Sequence, residues 1–274
     1  MEVVCLDRAP YSHSGIRTTI IDLGDLGQVV QGVAGCDAIL HLGAIPSPTG
    51  NPANVVFRNN VMGDFHVFEA AAALGIGRVV HASSVSALGF PYQHRWSTPL
   101  YVPIDEEHPL LPQDAYGLSK AVGEDIAAAY CRRGAGSAAG LRFSTILAED
   151  AYPRFIAAHH RDPGAAANLL WSYVDLRDAA VACALALTTP FTGYQSFFIT
   201  ANDTTSDLPT DTLLGRYFPN VPRRASSPGA ADLGDRWSLL DGSRARHVLG
   251  YHPEYSWRQV LAARPAHSEG GSER

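Results

Sequence analysis

The chain has 274 residues, 46% apolar and 18% charged, a mix that supports a full hydrophobic core and excludes disorder over most of the length. Lysine and arginine number 21 against 27 acidic residues, a formal charge of −6, so there is no general basic footprint for nucleic acid. No apolar run approaches the roughly 18 residues needed to cross a bilayer.

The start, Met1-Glu2-Val3-Val4, has no basic segment leading into an apolar stretch, which argues against a secretory signal. Cys5, Cys36, Cys131 and Cys183 are scattered, with no Cys-x-x-Cys pair. Scattered thiols in a chain of this size suit a reduced, cytoplasmic protein.

In chain order, Val3-Val4-Cys5-Leu6 reads as a strand buried on both faces and ending at Asp7. Thr18 to Leu23 reads as a second strand, followed by a helix near Leu26 to Val33. Asp37 to Leu42 is a third strand, and the spacing of Val56, Val61, Phe65, Phe68 and Ala72 predicts a long helix from Pro52 to Leu74. Arg78 to Ala82 is a fourth strand closed by Ser83-Ser84, Tyr116 to Arg132 a helix, and Ala139 to Ile146 a fifth strand. Five prolines between Phe90 and Pro112 exclude a regular helix there, and a loop of that length is usually functional or mobile. Helices are expected at Asp175 to Leu187, Pro209 to Tyr217 and Leu240 to Leu249, with a strand at Gln195 to Thr200. The alternation implies an α/β fold, a doubly wound parallel sheet. It divides into a dinucleotide-binding domain at 1–150, a smaller mixed substrate region at 151–265 and a disordered tail at 266–274.

The sharpest chemical signal is Tyr116-Gly117-Leu118-Ser119-Lys120. Four apart on a helix, Tyr116 and Lys120 share a face. A nearby ammonium favours the phenolate, and a tuned phenolate can take a proton from an alcohol. Taken alone, the pair is common on helices. Ser84, however, closes a strand whose end would line a ligand crevice, where its hydroxyl can hold a reacting oxygen. The histidines, His159-His160 included, show no metal-ligand spacing.

These residues give the chain a resemblance to the extended short-chain dehydrogenase/reductase family, the sugar-nucleotide epimerases and dehydratases. His41-Leu42-Gly43-Ala44 resembles the family's His-Leu-Ala-Ala strand end. Asn60-Val61-x-Gly63 resembles its Asn-Val-x-Gly-Thr helix motif, with Asp64 in place of Thr, and Ser83-Ser84 through Gly89 its serine segment. Asp105-Glu106-Glu107-His108-Pro109-Leu110-Leu111-Pro112 before Tyr116 is also family-like.

The resemblance implies catalytic roles for Ser84, Tyr116 and Lys120. It implies NAD contacts at Asp7, Asp22, Leu23, Leu42, Gly43, Ala44 and Asn60, as well as at Tyr116 and Lys120. Asp7 would bond the adenosine ribose and repel the 2′-phosphate of NADP, while Arg8 could accommodate that phosphate and leaves NADP open. A homodimer through the two long helices and a small sugar-like substrate are also implied.

The family's opening strand and Gly-x-x-Gly-x-x-Gly turn have no counterpart before Asp7, and Gly24-Asp25-Leu26-Gly27 follows the wrong strand. A true start upstream of Met1 is the expectation. The function implied by the resemblance is an NAD(P)-dependent oxidoreductase acting on a secondary alcohol of a sugar or sugar acid. The alternatives are a nucleotide-sugar epimerase of the same family, which would use the same groups twice, and a non-catalytic binding or regulatory protein that keeps the scaffold.

Val85-Ser86 stands where dehydratases carry Asp-Glu, which disfavours dehydration. Ser144-Thr145-Ile146 follows Leu141-Arg142-Phe143 where an Asn often holds a nucleotide diphosphate. The reading therefore moves towards the branch of the family that resembles uronate dehydrogenases. Ser84, Ser86, Thr145 and Arg154 are then the candidate substrate contacts, with Arg154 facing a carboxylate.

Overall fold

A computed structural model describes residues 2–10, 15–224 and 234–263. The chain runs β1 (Val4–Asp7), β2 (Arg17–Ile20), α1 (Leu26–Val33), β3 (Ile39–His41), α2 (Ala53–Leu74) and β4 (Arg78–Ser84). It continues through α3 (Ala115–Arg132), β5 (Ser137–Phe143), β6 (Thr145–Leu147), α4 (Tyr152–Arg161), β7 (Tyr173–Asp175) and α5 (Leu176–Thr188). It closes with β8 (Tyr194–Ile199), α6 (Thr210–Tyr217), α7 (Ser243–Leu249) and α8 (Trp257–Ala262). No helix among the described residues is long and apolar enough to cross a membrane.

Every strand pair is parallel, and β4, β5 and β8 are largely buried on both faces because helices cover both. β1, expected to be buried on both faces, is only half-buried and Val3 is exposed, and β2 is mostly exposed. Successive β4 residues show the two sides. Val79 packs with Phe68 of α2 and Ala127 of α3, whereas Val80 packs with Ala179 and Ala182 of α5 and Leu249 of α7. α2 ends where Gly75 turns left-handed at φ 71° and returns its N–H to Ala71 and Ala72, a conformation that costs other residues more. α3 begins at Asp114, whose carboxylate accepts the N–H groups of Tyr116 and Gly117, each at 2.9 Å.

The parallel sheet is interrupted. β3-β4-β5-β8 form one four-stranded piece and β1-β2 a separate ribbon. Among the described residues β1 pairs only with β2 and β3 only with β4, so each carries an edge without main-chain partners. Side chains join the pieces: Leu6 of β1 lies against Gly32 of α1, and Val29 and Val33 of α1 share a core with Ile39 and Val67. On the opposite face Leu40 and Leu42, at the open edge, are 38% and 54% exposed.

The single strand expected over 139–146 is two. Ser144, bonded through its N–H and hydroxyl to the Ile199 carbonyl, turns the chain from pairing with β8 to pairing with β7. α4, where no element is expected from the sequence, buries Tyr152, Ile156 and His159 along one face, and Tyr152 and Ile156 pack against Trp257 and Val260 of α8. The 90–112 loop is irregular as expected but anchored. Phe90, Val102 and Ile104 are buried against Trp171 and Phe218, and Ile104 N–H donates to Leu239 O at 2.7 Å. β8 joins the main sheet and α5 covers it, so the sheet draws on residues on both sides of position 150. The tail expected at 266–274 lies outside the described residues.

Candidate active site

Ser84 ends β4 at the rim where parallel strands leave a crevice. Its hydroxyl accepts the Ser86 N–H at 3.1 Å, starting a 3-10 turn over Val85–Leu88. α3 is pressed onto that turn at Gly117, where a Cβ would collide with the Ser86 carbonyl oxygen. This close approach brings the first turn of α3 to the strand end. Ser84, Ser86, Tyr116 and Lys120 consequently line one cavity of about 520 Å³, together with Leu42, Ala44 and Thr145.

Tyr116 is 9% and Lys120 4% exposed. Burial pushes the Tyr116 phenol up to about 12, partly offset by its hydrogen bond with Ser84. Burial also lowers Lys120, opposed by the Asp64 charge. The ammonium donates to the Ala82 carbonyl at 2.7 Å and lies 5.7 Å from the Tyr116 ring centroid. The ammonium is thus aimed at main chain beside the tyrosine ring, and the hydrogen bond that lowers the phenol comes from Ser84.

Beneath these side chains lies a buried polar layer that sequence reasoning missed. Arg142 of β5 forks onto Glu124 of α3, Nε to Oε1 at 2.9 Å and Nη2 to Oε2 at 2.8 Å. Ser83 donates to the same carboxylate at 2.6 Å, and Arg142 Nη1 donates to Glu106 O at 3.1 Å. Burial would raise the Glu124 carboxyl, but Arg142 holds it below the usual range. The signal for Glu124 was its place four residues after Lys120, on the face of α3 that must be buried.

Asp64, where the family pattern has Thr, is also buried, with its Oδ1 3.3 Å from His41 Nε2 and 3.7 Å from His81 Nδ1. Burial works against its ionisation, yet the two histidines hold its carboxyl well below the usual value.

The expected cofactor contacts divide. Leu42 and Ala44 line the cavity, and Gly43 between them lies close against the Leu23 side chain. Asp7, Arg8 and Asp22 are exposed, and Ile21 N–H donates to Asp7 O at 3.0 Å, so both carboxylates leave the same end of the β1-β2 ribbon. Asn60 is not a cavity residue. Its amide is spent holding Ile45, with bonds of 2.8 and 3.0 Å, and Ser119 Oγ at 3.1 Å, which clamps the strand end to α3.

The nicotinamide end of a dinucleotide fits this set, since Lys120 bonds one carbonyl and has further N–H donors to offer. The Gly24–Gly27 stretch does not fit as a pyrophosphate turn. Asp25 caps α1 with its own carboxylate, accepting the Gln28 N–H at 3.2 Å, and would repel an anion. Arg154, expected to meet a substrate carboxylate, sits on the exposed side of α4 and does not line the cavity. Thr145 does line it, whereas the neighbouring Ser144 hydroxyl is committed to Ile199.

Glu106 gives a pH-dependent consequence. Its Oε1 accepts the Phe198 N–H at 2.9 Å, but burial dominates and raises its carboxyl to about 7. The native state thus keeps a proton that the unfolded chain has released, and the Glu106 contribution to stability should fall as pH rises from the ordinary carboxylate range through about 7. Urea midpoints of Glu106→Gln between pH 4 and pH 8, in steps of about one unit, should lose that part of the slope. Coincident parent and variant slopes would show that Glu106 titrates normally.

The profile of the NAD dependent epimerase/dehydratase family matches residues 1–199. Uronate dehydrogenase of Pseudomonas syringae pv. tomato is 36% identical over 127 residues, which are 46% of this chain and 43% of that protein. NAD-dependent glucose-6-phosphate dehydrogenase of Haloferax volcanii is 33% identical over 138 residues, 46% of this chain and 52% of that one. The matched stretches thus span about half, or less, of these relatives. A short-chain dehydrogenase/reductase superfamily protein from Agrobacterium tumefaciens, solved with bound NAD, superposes with a TM-score of 0.68 at 25% identity, covering 94% of this chain and 87% of that one. The ordered motifs, the parallel sheet and the family match over most of the chain agree: it belongs to the NAD dependent epimerase/dehydratase family.

Proposed function

We propose that the chain is an NAD-dependent oxidoreductase acting on a secondary alcohol of a small sugar-like substrate. The observation that carries the reading is the convergence of Ser84, Tyr116 and Lys120 on one cavity at the strand ends. Ser84 Oγ holds the reacting hydroxyl, and Tyr116 Oη takes its proton as general base. Lys120, beside the tyrosine ring, orients the nicotinamide ribose and supplies positive charge as the phenolate forms. Bound NAD would supply the hydride acceptor. With burial holding the phenol near 12 before anything binds, the proton transfer depends on rearrangement of these contacts in the ternary state.

Val85-Ser86 in place of an acidic pair supports oxidation over dehydration. The exposed Asp7 carboxylate at the end of β1 supports NAD over NADP. Four free thiols support a cytoplasmic location. Met62 and Phe65 of α2 and Leu118 of α3 are exposed, which supports an isologous homodimer through these helices.

Tyr116→Phe should lower turnover by about 10²- to 10⁴-fold with little change in NADH affinity, because the lost hydroxyl faces substrate. Lys120→Met should lose both turnover and NADH affinity. Steady-state kinetics with NADH titration separates these outcomes, and near-normal turnover in Tyr116→Phe would remove the base from the scheme. Asp7→Ser should shift the kcat/KM ratio towards NADP by about tenfold or more; an unchanged ratio would leave Asp7 out of cofactor choice. Sedimentation at micromolar concentration should give a dimer that Phe65→Glu converts to a monomer, and a monomeric parent would contradict the assembly.

A further inference from the structure

We infer that the substrate held against Tyr116 is an uncharged ring compound, lying by an apolar face on Tyr92; this deepens, and rests on, the oxidoreductase reading above. The wall beyond Ser84 and Tyr116 is made by Val85, Pro91, Tyr92, Phe143, Ile146 and Leu169. Tyr92 and Tyr116 meet edge to face, with centroids 6.2 Å apart and planes at 86°, so the Tyr92 ring stands beside the proton-transfer group as a flat apolar surface. Leu169 is held in the wall by the two residues after it. Leu170 and Trp171 have φ of 55° and 49°, and the Trp171 indole donates to Pro163 O at 2.9 Å.

Among the described residues lining the cavity the only cation is Lys120, and its ammonium points to the Ala82 carbonyl. The nearby arginines are committed elsewhere. Arg142 is forked onto Glu124, and Arg177 is bonded to Asp175 and stacked over Tyr255. Arg154 is exposed and outside the lining. A carboxylate or diphosphate entering here would give up its hydration with only Lys120, already bonded to a carbonyl, as counter-charge among the described lining residues, which is unfavourable.

Hydroxyl partners are also few. Ser83 is bonded to Glu124 and Ser144 to Ile199, while the Ser86 and Thr145 hydroxyls carry no hydrogen bond among the described residues. Besides the reacting pair, the cavity therefore offers the hydroxyls of Ser86, Thr145 and Tyr92. That suits a neutral ring with one reactive alcohol or ketone and further hydroxyls that these side chains can meet.

The test compares D-glucose with D-glucuronate, which differ only at the terminal carbon, and adds UDP-glucose and cyclohexanol. Dissociation constants for the full chain come from saturation-transfer NMR titration, and kcat/KM values with NAD⁺ are measured on the same compounds. Glucose should bind at least about tenfold more tightly than glucuronate, and cyclohexanol more tightly than UDP-glucose. Tyr92→Ala should weaken cyclohexanol binding about tenfold, while Tyr92→Phe should not. Tighter binding of glucuronate or UDP-glucose, no binding of either neutral ring, or indifference to Tyr92→Ala would each overturn the inference. Turnover separates the two levels of the argument. Preferred oxidation of glucuronate would sink the inference and keep the oxidoreductase reading, whereas neutral-ring binding without any turnover would sink that reading and keep the inference.

Discussion

The site depends on the buried pair between Glu124 and Arg142. Its two hydrogen bonds join α3, which carries Tyr116 and Lys120, to the central strand β5. Ser83 ties the end of β4 to the same carboxylate, and the Glu106 carbonyl on Arg142 adds the 90–112 loop. Removing one partner of such a pair leaves a buried charge and typically costs about 3–5 kcal/mol. The geometry is bidentate, the arrangement in which a guanidinium and a carboxylate specify orientation as well as proximity. The reacting residues are thus held by a polar layer, and the apolar cores on either side of the sheet supply the bulk of the packing.

Local patterns were legible wherever one element determined the outcome. Apolar runs marked β1, β4 and β8, and helical spacing placed α2 and α3 almost to the residue. Tyr116 and Lys120 were readable because four residues apart on a helix is a statement about one face. What was not legible depends on where distant side chains point. Asn60 looks like a ligand contact in sequence, but its amide faces Ile45 and Ser119. Arg154 falls on the outer side of α4, away from the face on which Tyr152, Ile156 and His159 are buried. Ser144 breaks a strand only because Ile199, far along the chain, offers its carbonyl. Lys120 follows the same rule: its spacing from Tyr116 was readable, and its bond to Ala82 O was not.

Asp64 illustrates how a single substitution within a motif is accommodated. A carboxylate at this buried position needs partners on the adjoining strands, and His41 and His81 occupy facing positions in the β3-β4 register. Gly123 leaves the space on α3 that a Cβ would take from the carboxylate. His41 and His81 thus face one oxygen of the carboxylate, its Oδ2 has no hydrogen-bond partner among the described residues, and the Asp64 charge also supports the ammonium of Lys120.

The interruption between β1 and β3 affects how the molecule opens. Within the four-stranded piece, separating strands breaks a continuous ladder of main-chain bonds, so its amides open only with the whole unit. The β1-β2 ribbon shares no such ladder with it and is held by Leu6, Val29 and Val33 in a side-chain core. For residues 1–274 alone, hydrogen exchange in the ribbon should therefore report a smaller opening free energy than exchange in the central strands. The carboxylates of Asp7 and Asp22 ride on the ribbon, whereas Tyr116 and Lys120 are fixed to the larger piece. The two ends of the candidate dinucleotide site would then open separately, and a ligand spanning both would couple their unfolding.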